Sequence, residues 1–316
     1  MYKIKQIPED FQVKELIKLN LKKQGKYKCY LLKKKNYNTL DAINIISRIN
    51  KIPFKNFGYA GNKDKNAVTE QFISVLTNKN LENIKVDNLE LTFLGCLDDR
   101  INLGNNLGNS FKIVIRNIDE KYNKINYIVN YFDEQRFSKN NVLIGRLLLQ
   151  KKFKEICEIL NLDVKSPINS LNNVNKKLLK LYLNSFQSYL FNKVLSNYLK
   201  NKYKKHFSLK YSLGEFIFVD KFEKLKFPLI SFDAKLDKNY SKVLKDEGIR
   251  LEDFILRSFP GLIEETSFRD AFVKIKNFKT LSYSKDELNE GNFKQEISFS
   301  LPKGSYATIL VKQMIR

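Results

Sequence analysis

The sequence has no tryptophan, one histidine and three cysteines in 316 residues, so the residues most used for metal binding and nucleophilic catalysis are scarce. Cys29, Cys96 and Cys157 are far apart and form no Cys-x-x-Cys pair, which predicts neither a zinc site nor a disulfide framework. A Ser-His or Cys-His nucleophile would have to use His206, but its Lys-Lys-His-Phe-Ser setting is typical of a solvated loop.

Long apolar segments are also missing. The sequence contains no uncharged apolar run of about 18 residues, so it predicts no transmembrane helix. The N-terminal Met-Tyr-Lys-Ile-Lys-Gln-Ile-Pro lacks the apolar core of a signal peptide. We therefore expect a soluble, cytoplasmic protein, and the length of 316 residues suggests about two globular domains.

The chain has a large excess of positive charge. Lysine and arginine number 57 against 34 aspartates and glutamates, for a formal net charge of +23. This excess predicts a polyanionic partner, and nucleic acid fits best, although chains rich in both lysine and asparagine are also typical of AT-rich genomes. Only nine of the basic residues are arginines, so an arginine within a motif, such as Arg136, is more informative than any single lysine.

One aspartate stands out within residues 58–75. Asp64 lies between Lys63 and Lys65, in a turn-rich stretch flanked by two strand-like apolar runs. The neighbouring lysines should keep its carboxylate ionised, and an ionised carboxylate on a loop held by a sheet is able to act as a nucleophile or base. The same pattern also fits an ordinary hairpin with a solvated Lys-Asp-Lys tip.

The apolar patterns predict strands near both ends of the chain and helices in the middle. The predicted strands lie within 1–35, including 27–33, and at 57–60, 71–76, 89–94, 111–116, 268–273, 295–301 and 306–311, the last two as a hairpin. The predicted helices lie at 40–50 with Thr39 as N-cap, along a stripe of Ile125, Ile128, Val129 and Phe132, and at 142–160 and 174–200. The segments 216–219, 221–226 and 251–257 continue this helical region.

This order predicts an α+β fold in which one domain interrupts another. A mixed-sheet catalytic domain should comprise residues 1–140 plus 269–316. A largely helical inserted domain should comprise residues 141–268.

Six short motifs follow one another along nearly the whole chain. They are Lys5–Phe11 with its Pro-Glu-Asp-Phe, Tyr59–Gln71, Gly108–Phe111, Asn130–Phe137, Gln187–Asn192 and Phe299–Thr308. In this order they resemble the motifs of the TruD family of tRNA pseudouridine synthases. The chain departs from the family at Asn66, where a histidine is often seen, and at Asp133 and Ser138, where glycines are common.

The resemblance implies an isomerase that converts a uridine of tRNA, usually at position 13, to pseudouridine. It implies a pseudouridine-synthase-type catalytic domain, Asp64 as the catalytic aspartate and a basic cleft for RNA between the two domains. The reaction involves no redox step, so no cofactor or metal is expected, and no obligate protein partner or membrane is implied. Two mechanisms remain open: attack by Asp64 on the sugar or base, and elimination from the sugar with Asp64 as base.

The resemblance also suggests residues around the substrate. Phe11 and Phe111 would line the uracil pocket, and Phe111 has no hydroxyl to exchange a proton. Asn109 would hydrogen-bond either Asp64 or the uracil edge, and Lys5 would pair either with Asp64 or with a phosphate. On the residues alone, the aromatics would be sheet-core residues, Asn109 a turn residue and Lys5 a solvated lysine.

Lys63 and Arg136 are two further candidates for substrate binding. Lys63 competes with Lys5 and Asn109 as the group that holds the Asp64 carboxylate. Arg136 would grip a phosphate bidentately, or would tie a helix end to a carboxylate such as Glu134. Two other functions fit the charge: an RNA-binding or RNA-folding protein with dispensable or lost synthase activity, and a basic ribosomal protein. An intact Asp64 loop favours the enzyme over the first, and the lack of polybasic tails argues against the second.

Overall fold

The computed structural model describes residues 1–81, 86–138 and 140–315. The chain divides into two compact units, the first formed by Met1–Asn126 and Lys274–Ala307. The second is formed by Tyr127–Val273 together with the described residues from Thr308 onward.

The described residues form fourteen strands and seven α-helices. The strands are β1 (Phe11–Leu16), β2 (Tyr27–Lys35), β3 (Phe57–Tyr59), β4 (Val68–Val75), β5 (Leu89–Leu97), β6 (Gly108–Ile118), β7 (Tyr127–Val129), β8 (Phe207–Tyr211), β9 (Gly214–Phe218), β10 (Lys226–Leu229), β11 (Ser267–Asp270), β12 (Phe272–Lys274), β13 (Lys276–Lys285) and β14 (Phe293–Pro302). The helices are α1 (Thr39–Asn50), α2 (Asn141–Leu149), α3 (Phe153–Ile159), α4 (Pro167–Asn172), α5 (Lys176–Lys202), α6 (Lys238–Asp246) and α7 (Ala307–Met314). Short 3-10 helices cover Pro8–Asp10, Phe54–Asn56, Glu134–Phe137 and Leu251–Phe254.

The first unit is built on one eight-stranded sheet. Its strand order is β13-β14-β6-β1-β4-β2-β5, and β3 pairs with β4 beside this path. The β1–β4 pairing is parallel, with Val13 opposite Thr69, and the other pairings of this sheet are antiparallel. The predicted α+β fold with a mixed sheet is therefore confirmed.

Helix α1 covers one part of this sheet. Its buried Ile43 and Ile46 pack in a core with Tyr30, Leu32 and Ile73 from the strands. Burial of these side chains at helical spacing explains why the segment folds as an amphipathic helix.

The helix begins one residue away from the predicted cap. Asn38, rather than Thr39, is the N-cap, because its side-chain oxygen accepts a hydrogen bond from the Asp41 N–H at 2.8 Å. Thr39 is the first helical residue, and its hydroxyl is used elsewhere.

Two predicted elements have the wrong type. Residues 307–314 form helix α7 rather than a strand, and β14 makes its hairpin with β13. The apolar run of this segment buries Ile309, Leu310 and Val311 together, which strict strand alternation would not do. The stripe expected as a helix at 125–132 contains strand β7, which pairs with β12.

The second unit contains the long helix α5, three two-stranded sheets and the other helices of the middle segment. Residues 216–218 belong to strand β9, and only Leu251–Phe254 of the 251–257 segment is helical, as a 3-10 turn. None of the helices in the described part of the chain is both long enough and apolar enough to cross a membrane.

The unit boundaries differ from the predicted domain boundaries. They fall after residues 126 and 273, because β7 pairs with β12 within the second unit. Helix α7 also lies in this unit, where Gln313 accepts a hydrogen bond from the Val129 N–H at 2.8 Å. The division into a catalytic and an inserted domain stays a prediction about function.

Candidate active site

Asp64 lies on the loop of residues 60–67, which connects β3 to β4. All eight loop residues are described, and none has a left-handed backbone, so the loop does not use the conformational freedom expected of its glycine and asparagines. The Asp64 side chain is 44% exposed. The sheet thus presents this carboxylate at the surface of the first unit.

Lys5 is the cation that pairs with Asp64. Its Nζ lies 2.5 Å from Asp64 Oδ2, and its own side chain is only 14% exposed. The same ammonium lies 4.1 Å from the centre of the Phe11 ring, within the range of a cation–π interaction. The ion pair therefore lies against an aromatic ring at the start of β1.

The backbone of Lys5 has an unusual conformation that this contact accompanies. Its φ of 60° lies in the left-handed region, which is uncommon for a residue with a side chain. The Asn66 side chain donates to the Lys5 carbonyl at 3.1 Å, so the loop that carries Asp64 also fixes the backbone of its partner. Asn66 stands where the family often has histidine.

Lys63 points away from the Asp64 carboxylate. Its Nζ lies 2.6 Å from Glu15 Oε1, and the two side chains are 7% and 0% exposed. Glu15 also accepts a hydrogen bond from the Phe72 N–H through Oε2, at 3.1 Å. Of the groups considered as holders of Asp64, the structure selects Lys5, and Lys63 instead attaches the loop to the sheet.

A chain of hydrogen bonds fixes the rest of the loop backbone. The Lys63 N–H donates to Thr39 Oγ1 at 2.8 Å, and Thr39 in turn donates to Gln71 Oε1 at 2.8 Å. Gln71 Nε2 donates to the Gly61 carbonyl at 3.3 Å. These contacts connect the first residue of α1 with the middle of β4 and hold the loop in one position.

Lys34 lies directly behind this loop. Its Nζ donates to the Asp64 carbonyl at 3.1 Å and to the Tyr37 carbonyl at 2.5 Å, and the residue is only 1% exposed. Burial lowers the pKa of Lys34 to about 8, an effect that the Asp64 charge opposes and the Lys63 charge reinforces. A buried ammonium thus faces the backbone of the residue whose carboxylate faces Lys5.

Phe11 and Phe111, both predicted for the uracil pocket, lie together. Their ring centres are 6.1 Å apart in an edge-to-face arrangement, and the residues are 4% and 7% exposed. Phe299 stacks on Phe111 with ring centres 5.3 Å apart, since the two residues are directly opposite in the β6–β14 pairing. The aromatic surface next to Lys5 therefore spans three adjacent strands.

Asn109 lies on β6, opposite Glu15 of β1 and Leu301 of β14. Its Oδ1 is buried and has no hydrogen-bond partner among the described residues. The preceding Gly108 lies so close to β14 that a β-carbon would overlap the Leu301 carbonyl. The glycine of this motif thus permits the close strand contact next to Asn109.

Arg136 belongs to the second unit and is described only there. Its Nε donates to Ser188 Oγ of α5 at 3.3 Å, and its carbonyl accepts a hydrogen bond from Ser185. The neighbouring Glu134 is paired with Lys312, Nζ to Oε2, at 2.8 Å. The side chain of Arg136 is therefore anchored on a helix, and its phosphate-binding role stays a prediction.

Sequence reasoning did not assign Lys34, Glu15 or Phe299 to the site. Glu15 and Phe299 belong to recognised motifs, so position within a motif was an available signal for both. Lys34 lies in a run of three lysines, where only the three-dimensional structure distinguishes the buried one. The described residues contain no group of histidine, cysteine and acidic side chains suited to a metal ion.

Comparison with known proteins connects this arrangement to a family. A model of the family described as tRNA pseudouridine synthase D (TruD) matches residues 2–167 and 228–314. The chain is 31% identical to the tRNA pseudouridine synthase D of Aquifex aeolicus, over 99% of this chain and 97% of the relative. It is 27% identical to the protein of the same name from Leptospira interrogans, over 100% of this chain and 96% of the relative.

The fold agrees with these matches. A solved structure from Methanosarcina mazei that carries the name tRNA pseudouridine synthase D superposes with a TM-score of 0.72 at 21% identity, over 99% of this chain and 93% of that one. Fold and sequence together define a pseudouridine synthase, a class of isomerases. The chain belongs to the TruD family.

Proposed function

We propose that this protein isomerises a uridine of tRNA, at position 13, to pseudouridine, with Asp64 as the catalytic carboxylate. The observation that supports this most directly is the contact of Lys5 with both Asp64 Oδ2 and the Phe11 ring, at 2.5 and 4.1 Å. All three residues lie within the part of the chain that the TruD family matches. Among them, Asp64 is both exposed and held by its partner.

The reaction conserves the atoms of the nucleotide. The C1′–N1 glycosidic bond breaks, the uracil turns, C1′ bonds to C5, and the C5 proton leaves while N1 gains one. Asp64 would start the sequence, either by attacking the nucleotide as a nucleophile or by removing a sugar proton as a base. Phe111 has no hydroxyl, so removal of the C5 proton falls to Asp64, a water or another polar neighbour.

The residues around Asp64 would share the remaining tasks. Lys5 keeps the carboxylate ionised and oriented, as a cation at hydrogen-bond distance does. Phe11 and Phe111 provide the apolar surface for the uracil. The Asn109 amide would read the polar edge of the base, since its Oδ1 gives up no bond within the described chain when the amide turns.

Substrate binding would depend on charge and on nucleotide flipping. The net charge of +23 favours the phosphate backbone, so affinity for tRNA should fall as salt concentration rises. The target nucleotide must leave its stack, which costs a few kcal/mol and is offset by contacts in the pocket. Arg136 would contribute a phosphate contact, with Ser188 orienting its guanidinium.

The decisive experiment compares Asp64→Asn with Asp98→Asn on tRNA that carries tritium at C5 of uridine. Asp98 is a matched control, because Lys22 Nζ lies 2.5 Å from its Oδ2 and its side chain is 59% exposed. We expect Asp64→Asn to abolish tritium release while tRNA binding is retained, and Asp98→Asn to leave both unchanged. Near-normal release by Asp64→Asn would refute the catalytic assignment.

The target position and the alternative function need a second experiment. A tRNA transcript in which uridine 13 is replaced by cytidine should release no tritium, whereas release from this transcript would point to another uridine. An RNA-folding protein with dispensable activity would instead keep its cellular role in the Asp64→Asn variant. Growth of a deletion strain complemented by that variant, with pseudouridine mapped in its tRNA, separates the two functions.

A further inference from the structure

The aromatic row of the first unit continues beyond the candidate active site to the edge of the sheet. Phe278 of β13 stacks on Phe299, with ring centres 6.3 Å apart and ring planes at 16°. Phe299 stacks on Phe111, which contacts Phe11 beside Lys5. Four adjacent strands, β13, β14, β6 and β1, thus each contribute one ring to the row.

A β-bulge places Phe278 in this row. Lys276 is opposite Ser300 and Lys279 is opposite Ser298, so Asn277 and Phe278 together face the single residue Phe299. Asn277 has a left-handed φ of 55°. In an unbroken register Phe278 would be opposite Ser298 and its ring would point to the other face of the sheet, because side chains alternate along a strand. Bulges commonly redirect a side chain near a functional site.

The position of Phe278 differs from that of the other rings. Phe11, Phe111 and Phe299 are buried, whereas Phe278 is partly exposed. Strand β13 is the last in the sheet order, so no strand of the described chain lies beyond it. An aromatic ring at the exposed end of a row that leads to the uridine pocket is a surface on which an unstacked base can lie.

We propose that Phe278 is a stacking platform for an unpaired nucleobase of the RNA substrate, close to the target uridine along the strand. This inference rests on the proposed function and names a further residue that positions its substrate. The two ring-to-ring steps from Phe111 to Phe278 measure 5.3 and 6.3 Å, a separation that a short stretch of unstacked strand bridges.

The charge around Phe278 suits the same ligand. Lys276 and Lys279 flank the ring in sequence and are exposed, and in the described part of the chain neither ammonium belongs to an ion pair of 4.0 Å or less. Their side chains leave the strand on the face of Ser300 and Ser298, and at an edge strand their flexible stems reach the rim of the sheet. Phosphates on either side of a stacked base would meet these ammonium groups.

Four variants test the platform: Phe278→Ala, Phe278→Leu, Phe278→Tyr and the control Leu281→Ala. Leu281 is an apolar residue of the same edge strand and is 46% exposed. Binding is measured with Asp64→Asn protein, so that the tRNA is not converted, and turnover is measured with otherwise unchanged protein. We expect Phe278→Ala and Phe278→Leu to weaken tRNA binding about 5-fold to 100-fold, the range of one base–aromatic stack. Phe278→Tyr and Leu281→Ala should bind normally.

Coupling to a specific base completes the test. We expect a tRNA with an abasic site at one position near the target to bind unchanged protein more weakly, and to bind Phe278→Leu with no further loss. Normal binding by Phe278→Leu would overturn the proposal, and so would a loss of binding that couples to no base. Failure of the proposed function is a separate result, because it is read from tritium release by unchanged protein rather than from binding.

Discussion

Lys63 and Glu15 form a buried ion pair directly beneath the Asp64 loop, with Nζ 2.6 Å from Oε1 and side chains 7% and 0% exposed. The pair joins the loop to β1, and Glu15 also accepts the Phe72 N–H of β4. A pair with this burial is expensive to break from one side, since the remaining charge stays in a poorly solvated place.

Replacing one partner of this pair should destabilise the protein. We expect Lys63→Met to lower the free energy of unfolding by about 3–5 kcal/mol, because Glu15 is left buried and unpaired. The double variant Lys63→Met/Glu15→Gln should lose at least about 1 kcal/mol less than the sum of the single variants, as coupled neighbours do. Urea unfolding followed by circular dichroism measures all three.

The matched control is Lys14→Met, which breaks the Lys14–Glu70 pair. Its Nζ–Oε2 distance is 3.2 Å, and the lysine side chain is 64% exposed. Exposed pairs contribute about 0–1 kcal/mol, so this variant should unfold nearly as the unchanged protein does. Equal losses for Lys63→Met and Lys14→Met would contradict the structural role of Lys63.

Lys5→Met should reduce the rate of the chemical step. We expect single-turnover tritium release to fall about 100-fold, because the Asp64 carboxylate loses the cation that orients it. In a variant that also carries Asp64→Asn, removal of Lys5 should cost nothing more, since the two residues act as one unit. The control Lys22→Met removes the exposed partner of Asp98 and should leave the rate unchanged.

The salt dependence of tRNA binding distinguishes this role from a phosphate contact. If Lys5 holds Asp64, the slope of log affinity against log salt stays the same in Lys5→Met. A slope reduced by about one unit would instead assign Lys5 to a phosphate.

Lys34 should make stability depend on pH in the alkaline range. Its pKa is lowered by burial to about 8 from its ordinary 10.5, so between these values the unfolded chain binds more protons than the folded one. The contribution of Lys34 to the free energy of unfolding therefore rises with pH across this window. The charged form, which predominates below about pH 8, bears the cost of burial.

Lys34→Met removes this dependence and serves as its own reference. We expect the free energy of unfolding of the unchanged protein, minus that of Lys34→Met, to increase from about pH 7.5 to about pH 10. Subtracting the two curves removes the contribution of the other lysines. A difference that stays flat, or that falls, would show that Lys34 titrates normally.

Gly108→Ala should disturb both stability and activity. The added β-carbon would overlap the Leu301 carbonyl across the β6–β14 pairing, so one strand must move. We expect a loss of more than about 2 kcal/mol in unfolding free energy and a slower reaction, because Asn109 and Phe111 follow on the same strand.

Gly61→Ala is the matched glycine control in the catalytic loop. Its β-carbon would lie 4.0 Å from the nearest listed neighbour type, the Lys63 ammonium, which is ordinary van der Waals contact. Unfolding free energy within about 0.5 kcal/mol of the unchanged protein is expected. A large loss at Gly61 would mean that the loop needs glycine for its conformation.

The strands of the sheet were largely predictable from sequence, because their apolar alternation is matched by burial. Residues 27–33 and 295–301 were predicted as strands and lie within β2 and β14. Helix α7 was not predictable in this way, since a run such as Thr-Ile-Leu-Val favours a strand locally and is overridden when the run is buried on all sides.

The partners of the charged residues were harder to predict than the motifs. Proximity in sequence suggested Lys63 for Asp64, but residues adjacent on an extended loop point in different directions, and Lys63 turns toward Glu15. The actual partner, Lys5, reaches Asp64 from another part of the chain. Similarly, the bulge at Asn277 has no marker in the sequence that distinguishes it from the chain's many other asparagines.

The stacking of Phe299 on Phe111 has a consequence for how the protein is made. The two residues are neighbours across β6 and β14, although more than half of the chain separates them in sequence. On the ribosome, β6 emerges long before β14 and must wait with one edge unpaired. Contacts of such long range form slowly, so a nascent chain carries Lys5 and Asp64 well before the aromatic surface beside them is complete.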